Sequence, residues 1–220
     1  MARKKVDTLI FSDVHLHSRV SRTHTLLTML NEFDCNRLIT NGDLLDKLHG
    51  RLPKSHRRVL EYINRLKQSG CEVVHVDGNH DADKTSPQEQ YTWEYNGELY
   101  LALHGHQFDK VHDERPWLSN FGDKVYRCAQ VLLTHQNNLP RKIKFRNKKW
   151  LEAGEVIAAG ASAYAHSLGI QHVFCGHTHR ALQRHFPEIG VTYYNSGCWT
   201  DLPSTCLTIG EKGVELHEYY

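Results

Sequence analysis

His177 and His179 stand two apart at the end of an apolar run, in VFCGHTHR (173–180). An extended segment sends residues i and i+2 to one face. The two imidazoles can therefore aim at one point just past a strand end, which suits metal binding. Alone, the pair reads as ordinary loop histidines at least as readily. Four other stretches close on similar polar steps, at Asp13-Val-His15, Gly42-Asp43, Gly78-Asn79-His80-Asp81 and His104-Gly-His106. Brought together, Asp13, His15, Asp43, Asn79, His104, His177 and His179 are two carboxylates, one amide and four imidazoles. Mixed nitrogen and oxygen ligands suit Zn, Mn or Fe and argue against Ca or a pure Mg site. Seven ligands exceed what one ion with an open position uses; two ions sharing one bridging aspartate use them well.

These residues need elements that end at a common place. VDTLIFS (6–12), NRLITNGD (36–43) and CEVVHVDGNHD (71–81) read as strands. Between them, SRTHTLLTMLNEF (21–33) has helical apolar spacing with Ser21 as a cap, and KSHRRVLEYINRLKQSG (54–70) is an amphipathic helix closed by Gly70. The β-α-β-α-β order argues for parallel strands with crossover helices. In open α/β sheets, functional groups collect outside the carboxyl ends of the strands. YTWEYNGELYLALHGH (91–106) reads as a hairpin turning at Asn96-Gly97. Residues 110–169 lack strand signals and carry two helical patterns joined by a basic connector. Strands resume at QHVFCGH (171–177), followed by two more hairpins.

The 220 residues fit one domain able to bury a core without staples. The six cysteines form no C-x-x-C pair and read as reduced thiols, with Cys175 and Cys198 as small buried hydrophobes. No apolar stretch is long enough to span a bilayer. The N-terminal apolar run ends at Asp13 without a small-residue cleavage site, so it reads as a strand of a cytoplasmic protein and not as a signal peptide. Net charge is +2, but residues 124–151 hold eight Lys or Arg and no acidic residue. Such a segment on an otherwise acidic chain points to an anionic partner.

The set and order of DVH (13–15), GDLLD (42–46), GNHD (78–81), HGH (104–106) and GHTH (176–179) resemble the calcineurin-like metallophosphoesterases. The resemblance implies an α/β fold, a four-layer αββα sandwich of two mixed sheets. It would be a single domain over 1–220 with a helical insertion, or lid, at about 110–169. It implies two divalent ions, Mn foremost and Fe or Zn as alternatives. The first would be held by Asp13, His15, Asp43 and His179, and the second by Asp43, Asn79, His104 and His177, with Asp43 bridging. A hydroxide between the ions would attack phosphorus in line. His80 would assist the leaving group, oriented by Asp81. Asp46 is open between orienting a ligand and capping a helix. His106 is open between touching substrate and a structural role.

Within the family, the insertion and the closing stretch YYNSGCWTD (193–201) most resemble the UDP-2,3-diacylglucosamine hydrolase branch. That branch implies a nucleotide-linked lipid diphosphate as substrate and a site peripheral to the inner membrane. Trp117 and Phe121 would take acyl chains, and Arg141, Lys142 and Lys144 would hold phosphates or meet an anionic membrane. The branch often has Arg where His80 stands and Asp where His106 stands. The alternative is a generic phosphodiesterase or phosphatase acting on a nucleotide or nucleic acid. Further off stands a non-catalytic metal-bound scaffold, a class that usually loses a ligand or the motif histidine.

Overall fold

The computed structural model describes residues 2–46, 51–81, 88–109 and 148–220. One five-stranded sheet contains β1 (Lys4–Phe11), β2 (Phe33–Asn41), β3 (Glu72–Val76), β9 (Ser204–Gly210) and β10 (Gly213–Tyr219), in the order β10, β9, β1, β2, β3. The other contains β4 (Gln90–Tyr95), β5 (Glu98–Leu103), β6 (His172–Cys175), β7 (Leu182–Phe186) and β8 (Val191–Asn195), in the order β4, β5, β6, β8, β7. β1, β2 and β3 run parallel, as do β5, β6 and β8; the hairpin partners at the edges are antiparallel. Two helices, α1 (Thr23–Glu32) and α2 (Lys54–Gln68), connect the parallel strands of the first sheet, and α3 (Lys148–Ser167) precedes β6.

Alternation along the central strands decides the layers. Leu9, Phe11 and Leu38 pack with Leu26, Met29, Leu30, Val59 and Ile63 of the helices on one side of the first sheet. Ile10 and Ile39, which alternate with those residues in sequence, turn to the opposite face and meet Trp93, Tyr100, Ala102, Phe174 and Tyr194 of the second sheet. The second sheet repeats the pattern outward: Leu101, Leu103, Val173 and Cys175 face Ala158, Ala161 and Ala165 of α3. The result is the expected α-β-β-α layering. Small alanines on α3 let the helix lie close to the sheet.

One local expectation differs. The residue preceding α1 is Arg22, with no side-chain cap bond, and not Ser21. Its entry is fixed by tertiary contacts: Arg22 N–H donates to the Trp199 carbonyl at 2.8 Å, and its guanidinium donates to Ser204 Oγ and the Tyr219 carbonyl, both at 2.9 Å. His56 is buried on α2 and accepts from the His17 N–H through Nδ1 at 2.9 Å. α2 does end at Gly70, whose φ of +99° lets Gly70 N–H reach the Lys67 carbonyl and Cys71 N–H the Leu66 carbonyl. Cys175 and Cys198 are buried free thiols. Trp117, Phe121, Arg141, Lys142, Lys144 and the first helix expected in the insertion lie outside the described residues.

One of the side chains that tie the sheets at their carboxyl ends is Asn41. Asn41, the last residue of β2, is fully buried, and its Nδ2 donates to the carbonyls of Leu103 (3.1 Å) and Phe174 (3.0 Å) in β5 and β6. Replacing it by leucine keeps the size and leaves both carbonyls without that donor. Asn41→Leu should lower the unfolding free energy of the metal-free protein by about 1–3 kcal/mol, the scale of a buried polar group losing its partner, read as a lower urea midpoint at unchanged slope. An unchanged midpoint would show that the amide does not fasten the two sheets.

Candidate metal centre

Every motif follows the carboxyl end of a parallel strand: Asp13 and His15 after β1, Asp43 after β2, Asn79 and His80 after β3, His104 after β5, His177 and His179 after β6. Backbone bonds lock the turns together. Asp13 N–H donates to the Gly42 carbonyl (3.0 Å), His15 N–H to the Asp43 carbonyl (2.9 Å) and Gly176 N–H to the His104 carbonyl (3.0 Å). Asp13, His15, Asp43, His177 and His179 all adopt positive φ, between 50° and 64°. Non-glycine residues rarely do so, and such conformations persist where the surroundings over-determine them, often at functional sites. The motif glycines give the ligands room. A Cβ on Gly78 would lie 2.1 Å from Asp43 Oδ1, one on Gly176 would lie 2.4 Å from Asp13 Oδ2, and one on Gly42 would strike the His104 ring.

Asp13 and Asp43 are fully buried. Asp13 Oδ2 accepts from Ser12 Oγ (2.5 Å) and from the His177 N–H (3.1 Å), which leaves Oδ1 facing His179 Nε2 at 3.0 Å and His15 Nε2 at 3.9 Å. Asp43 Oδ1 accepts from the His80 N–H at 2.8 Å, so Oδ2 faces His104 Nε2 at 3.3 Å and His15 Nε2 at 3.7 Å. One oxygen of Asp43 thus stands between a histidine of each sheet, as a bridging ligand must. His15 Nε2 and His179 Nε2 are 3.3 Å apart. Donor atoms around one tetrahedral ion at about 2.05 Å lie roughly 3.3 Å from each other; Asp13, His15 and His179 come close enough to share an ion, while Asp43 groups with Asp13 and His104.

Of the expected second set, His104 lies beside Asp43 and beside the ring of His177. The rings of His104 and His177 have centroids 5.4 Å apart, and the buried Oδ1 of Asn79 makes no hydrogen bond among the described residues. A buried amide oxygen without a donor costs free energy unless something positive meets it. His104 Nε2 lies near Asp43 but without hydrogen-bond alignment. The residues present therefore fit a divalent metal centre: anionic oxygens, imidazoles and an amide oxygen, turned inward at one point.

The far ring nitrogens are braced. His15 Nδ1 meets Asp46 Oδ1 at 2.7 Å, His104 Nδ1 donates to the Asn41 carbonyl at 2.9 Å, and His177 Nε2 meets Asp109 Oδ2 at 2.9 Å. Such bonds select the tautomer and aim the remaining nitrogen inward. Asp46, buried, is thus an orienting residue. His15, Asp46 and His80 also form a cluster small enough to surround an ion. The Asp46–His15 bond and the outward position of His80, a quarter exposed, make orientation its better reading.

The expectation for Asp81 differs from the structure. Its Oδ2 accepts from the N–H groups of Asp43 and Gly78, both at 2.8 Å, and its Oδ1 from Leu45 N–H at 2.9 Å. Asp81 pins two motif loops to each other, and the carboxylate beside His80 Nδ1 among the described residues is Asp46, at 4.0 Å. Three stretches short of the motifs contribute unexpectedly: Ser12 with Ser196 behind Asp13 (Oγ–Oγ 2.7 Å), Asn41, and Asp109. His106 lies beside the cluster, its ring 5.6 Å from that of His104 and 6.3 Å from that of His177. A cavity lined by Leu151, Gly154, Glu155, Thr178, Arg180, Leu182 and Tyr193 lies against α3, and none of the proposed ligands lines it.

Charge is balanced by protons in the metal-free protein. Burial works against a charge on His104, but the adjacent Asp43 carboxylate, and then Asp13, push it up to about 10. Burial likewise opposes ionisation of Asp13, yet His179 and then His104 pull it down to about 2. Asp43 is held well below the usual carboxylate range against its burial, chiefly by His104. A protonated imidazole supplies here the positive charge that the buried carboxylates require.

A sequence model of the calcineurin-like phosphoesterases matches residues 7–181. No curated protein matches the chain. Among solved structures, a single mutant of Vps29 from Entamoeba histolytica is 16% identical, with 96% of this chain and 97% of that one covered and a TM-score of 0.54. Vps29 from Chaetomium thermophilum is 13% identical over 96% and 97%, with a TM-score of 0.53. A structure described as a novel archaeal phosphodiesterase is 13% identical over 96% and 98%, with a TM-score of 0.52. At these identities the likeness is one of fold.

Two outcomes are expected of this centre. Ligation needs neutral imidazole, and His104 carries its proton up to a pH of about 10 in the metal-free protein. Mn²⁺ binding at pH 7 should therefore release protons, and affinity should rise with pH until His104 deprotonates unaided. Calorimetry in buffers of different ionisation enthalpy reads this directly; a proton count of zero at pH 7 would contradict it. Gly78→Ala places a methyl against Asp43 and should weaken Mn²⁺ binding by about tenfold or more. Retained affinity in that variant would mean that the carboxylate has no fixed position to lose.

Proposed function

The chain belongs to the calcineurin-like phosphoesterase family, and from that premise we propose that it hydrolyses phosphodiesters at a pair of divalent ions. Metal-dependent phosphoester hydrolysis follows from the family; the pair of ions, the residue roles and the diester preference are our reading. The observation that carries it is Asp43, fully buried, with one oxygen between His104 of one half of the centre and His15 of the other. When bound, divalent ions supply Lewis-acid charge for the phosphoryl oxygens and for activating water.

The chain's own groups complete the chemistry. Asp13, His15 and His179 hold one side of the centre, and Asn79, His104 and His177 the other. Asn79 offers oxygen without further negative charge. His80 stands at the rim, its ring edge-on to His15 with centroids 5.2 Å apart. From there it donates a proton or hydrogen bond to the departing oxygen, with Asp46 beside its Nδ1. His106, next to His104 and His177, is placed to touch substrate. A non-catalytic scaffold has no need of this full ligand set together with His80.

The narrower substrate, a nucleotide-linked lipid diphosphate, rests on Trp117, Phe121, Arg141, Lys142 and Lys144. The described part of the insertion turns Ala158, Ala161 and Ala165 onto the sheet, a packing role. No helix among the described residues is long and apolar enough to cross a membrane. Diester hydrolysis is the reading we adopt, and the lipid substrate is an outcome of assay.

With bis(p-nitrophenyl) phosphate and Mn²⁺, Asp43→Asn should lose metal and turnover together. His80→Ala should keep its metal and lose roughly 10²–10⁴ in kcat on substrates with poor leaving groups, and less on nitrophenyl esters, the pattern of a proton donor. Metal loss in His80→Ala, or an equal loss whatever the leaving group, would remove His80 from that role.

A further inference from the structure

We propose that Asp109 is a positioning residue that couples α3 to the His177 side of the centre; the proposal rests on the reading of His177 as a metal ligand. His177 Nε2 lies 2.9 Å from Asp109 Oδ2, with side chains 14% and 17% exposed. In the tautomer that donates Nε2–H to this carboxylate, Nδ1 keeps the lone pair a metal requires. The braces of His15 and His104 come from Asp46 and Asn41, both in the first sheet and the loops at its strand ends. The brace of His177 comes from elsewhere, at the end of a 3-10 turn, His106–Phe108.

That turn is seated on α3. Phe108 N–H donates to the Gly105 carbonyl and Asp109 N–H to the His106 carbonyl, both at 3.1 Å, so the two residues move as one piece. The Phe108 ring rests against Tyr164, with centroids 6.2 Å apart, and against Gly160, where an added Cβ would stand 2.9 Å from Phe108 Cδ1. Glycine at 160 is what lets the ring lie on the helix. A continuous packed path thus runs from α3 through Phe108 and Asp109 to His177. A displacement of α3 that moves Phe108 reaches His177 through Asp109, whereas the braces of His15 and His104, from Asp46 and Asn41, lie outside that turn.

The test titrates Mn²⁺ alone into the metal-free protein, with calorimetry for the two affinities and electron paramagnetic resonance for the spin-coupled Mn pair. Asp109→Ala should weaken the weaker ion by about 10–100-fold, the scale for losing a residue that braces a ligand, and move the tighter one by no more than about twofold. The coupled signal should appear only at high Mn²⁺, and the metal-free melting temperature should not change. Asp109→Asn, which keeps an acceptor oxygen, should recover most of the affinity. Gly160→Val, on α3 against Phe108, should act in the same direction by displacing that ring. His177→Ala, as reference, should abolish the weaker ion. If it does so while Asp109→Ala leaves both affinities intact, the positioning role is overturned and the metal reading stands. Equal weakening of both ions by Asp109→Ala also overturns it, as a general loss of structure. A silent Gly160→Val beside an effective Asp109→Ala overturns the coupling to α3. Retention of both ions in His177→Ala overturns the ligand assignment and the proposal together.

Discussion

Two carboxylates, Asp13 and Asp43, are held out of water where the two sheets meet, and that placement governs what surrounds them. A buried anion costs several kcal/mol unless positive charge and hydrogen-bond donors face it. Here the donors are N–H groups of neighbouring turns and one serine hydroxyl, all directed at Asp13 Oδ2 and Asp43 Oδ1. Their remaining oxygens are left for imidazoles and, by the reading above, for metal. Each carboxylate therefore has a structural oxygen and a functional one. The division between them depends on backbone geometry that a single methyl at Gly78 or Gly176 would disturb.

The same constraint explains the unusual backbone. Five of the proposed ligands sit at positive φ, each at a cost of order 1–3 kcal/mol for a side chain with a Cβ. Such a concentration persists only if neighbouring structure over-determines it. The chain meets that need with crosslinks between turns: Asp81 joins the loops after β2 and β3, the Asp13 and His15 amides reach the turn after β2, and Asn41 reaches β5 and β6 of the second sheet. The loops carrying the site are consequently more cross-tied than the solvent-exposed hairpin turns such as Asn96-Gly97.

The sequence made legible whatever follows from local rules. Leu9, Ile10 and Phe11 alternate faces, and the two faces became two different cores. The five polar steps at strand ends became one cluster because parallel strands end at the same side of a sheet. What stayed hidden depends on which residues meet across the sandwich. Asp109 sits four residues past Gly105 with no spacing that marks it, and its partner His177 is 68 residues away. Ser12 looks like one more strand residue until Ser196 and Asp13 are placed around it. Asp81 adjoins His80 in sequence, which suggests a pair. The turn after β3 instead sends its carboxylate back to three amides and leaves the neighbourhood of His80 to Asp46. At Arg22, contacts to Trp199, Ser204 and Tyr219 override the local preference for Ser21 as a cap.

His80 is set apart from the other histidines by where its ring lies. His15, His104 and His177 each have one ring nitrogen fixed by an acceptor at 2.7–2.9 Å, which fits groups that must hold one orientation. Asp46, 4.0 Å from His80 Nδ1, is already bonded to His15. The His80 side chain stands at the rim with a quarter of its surface exposed, against 6% for His15 and none for His104. A ring in contact with solvent can exchange protons with water, which a ligand in a closed shell cannot. Its backbone N–H, meanwhile, holds Asp43 Oδ1 at 2.8 Å. One residue thereby ties two parts of the site together: the main chain of His80 holds Asp43 Oδ1 while its side chain stands at the rim.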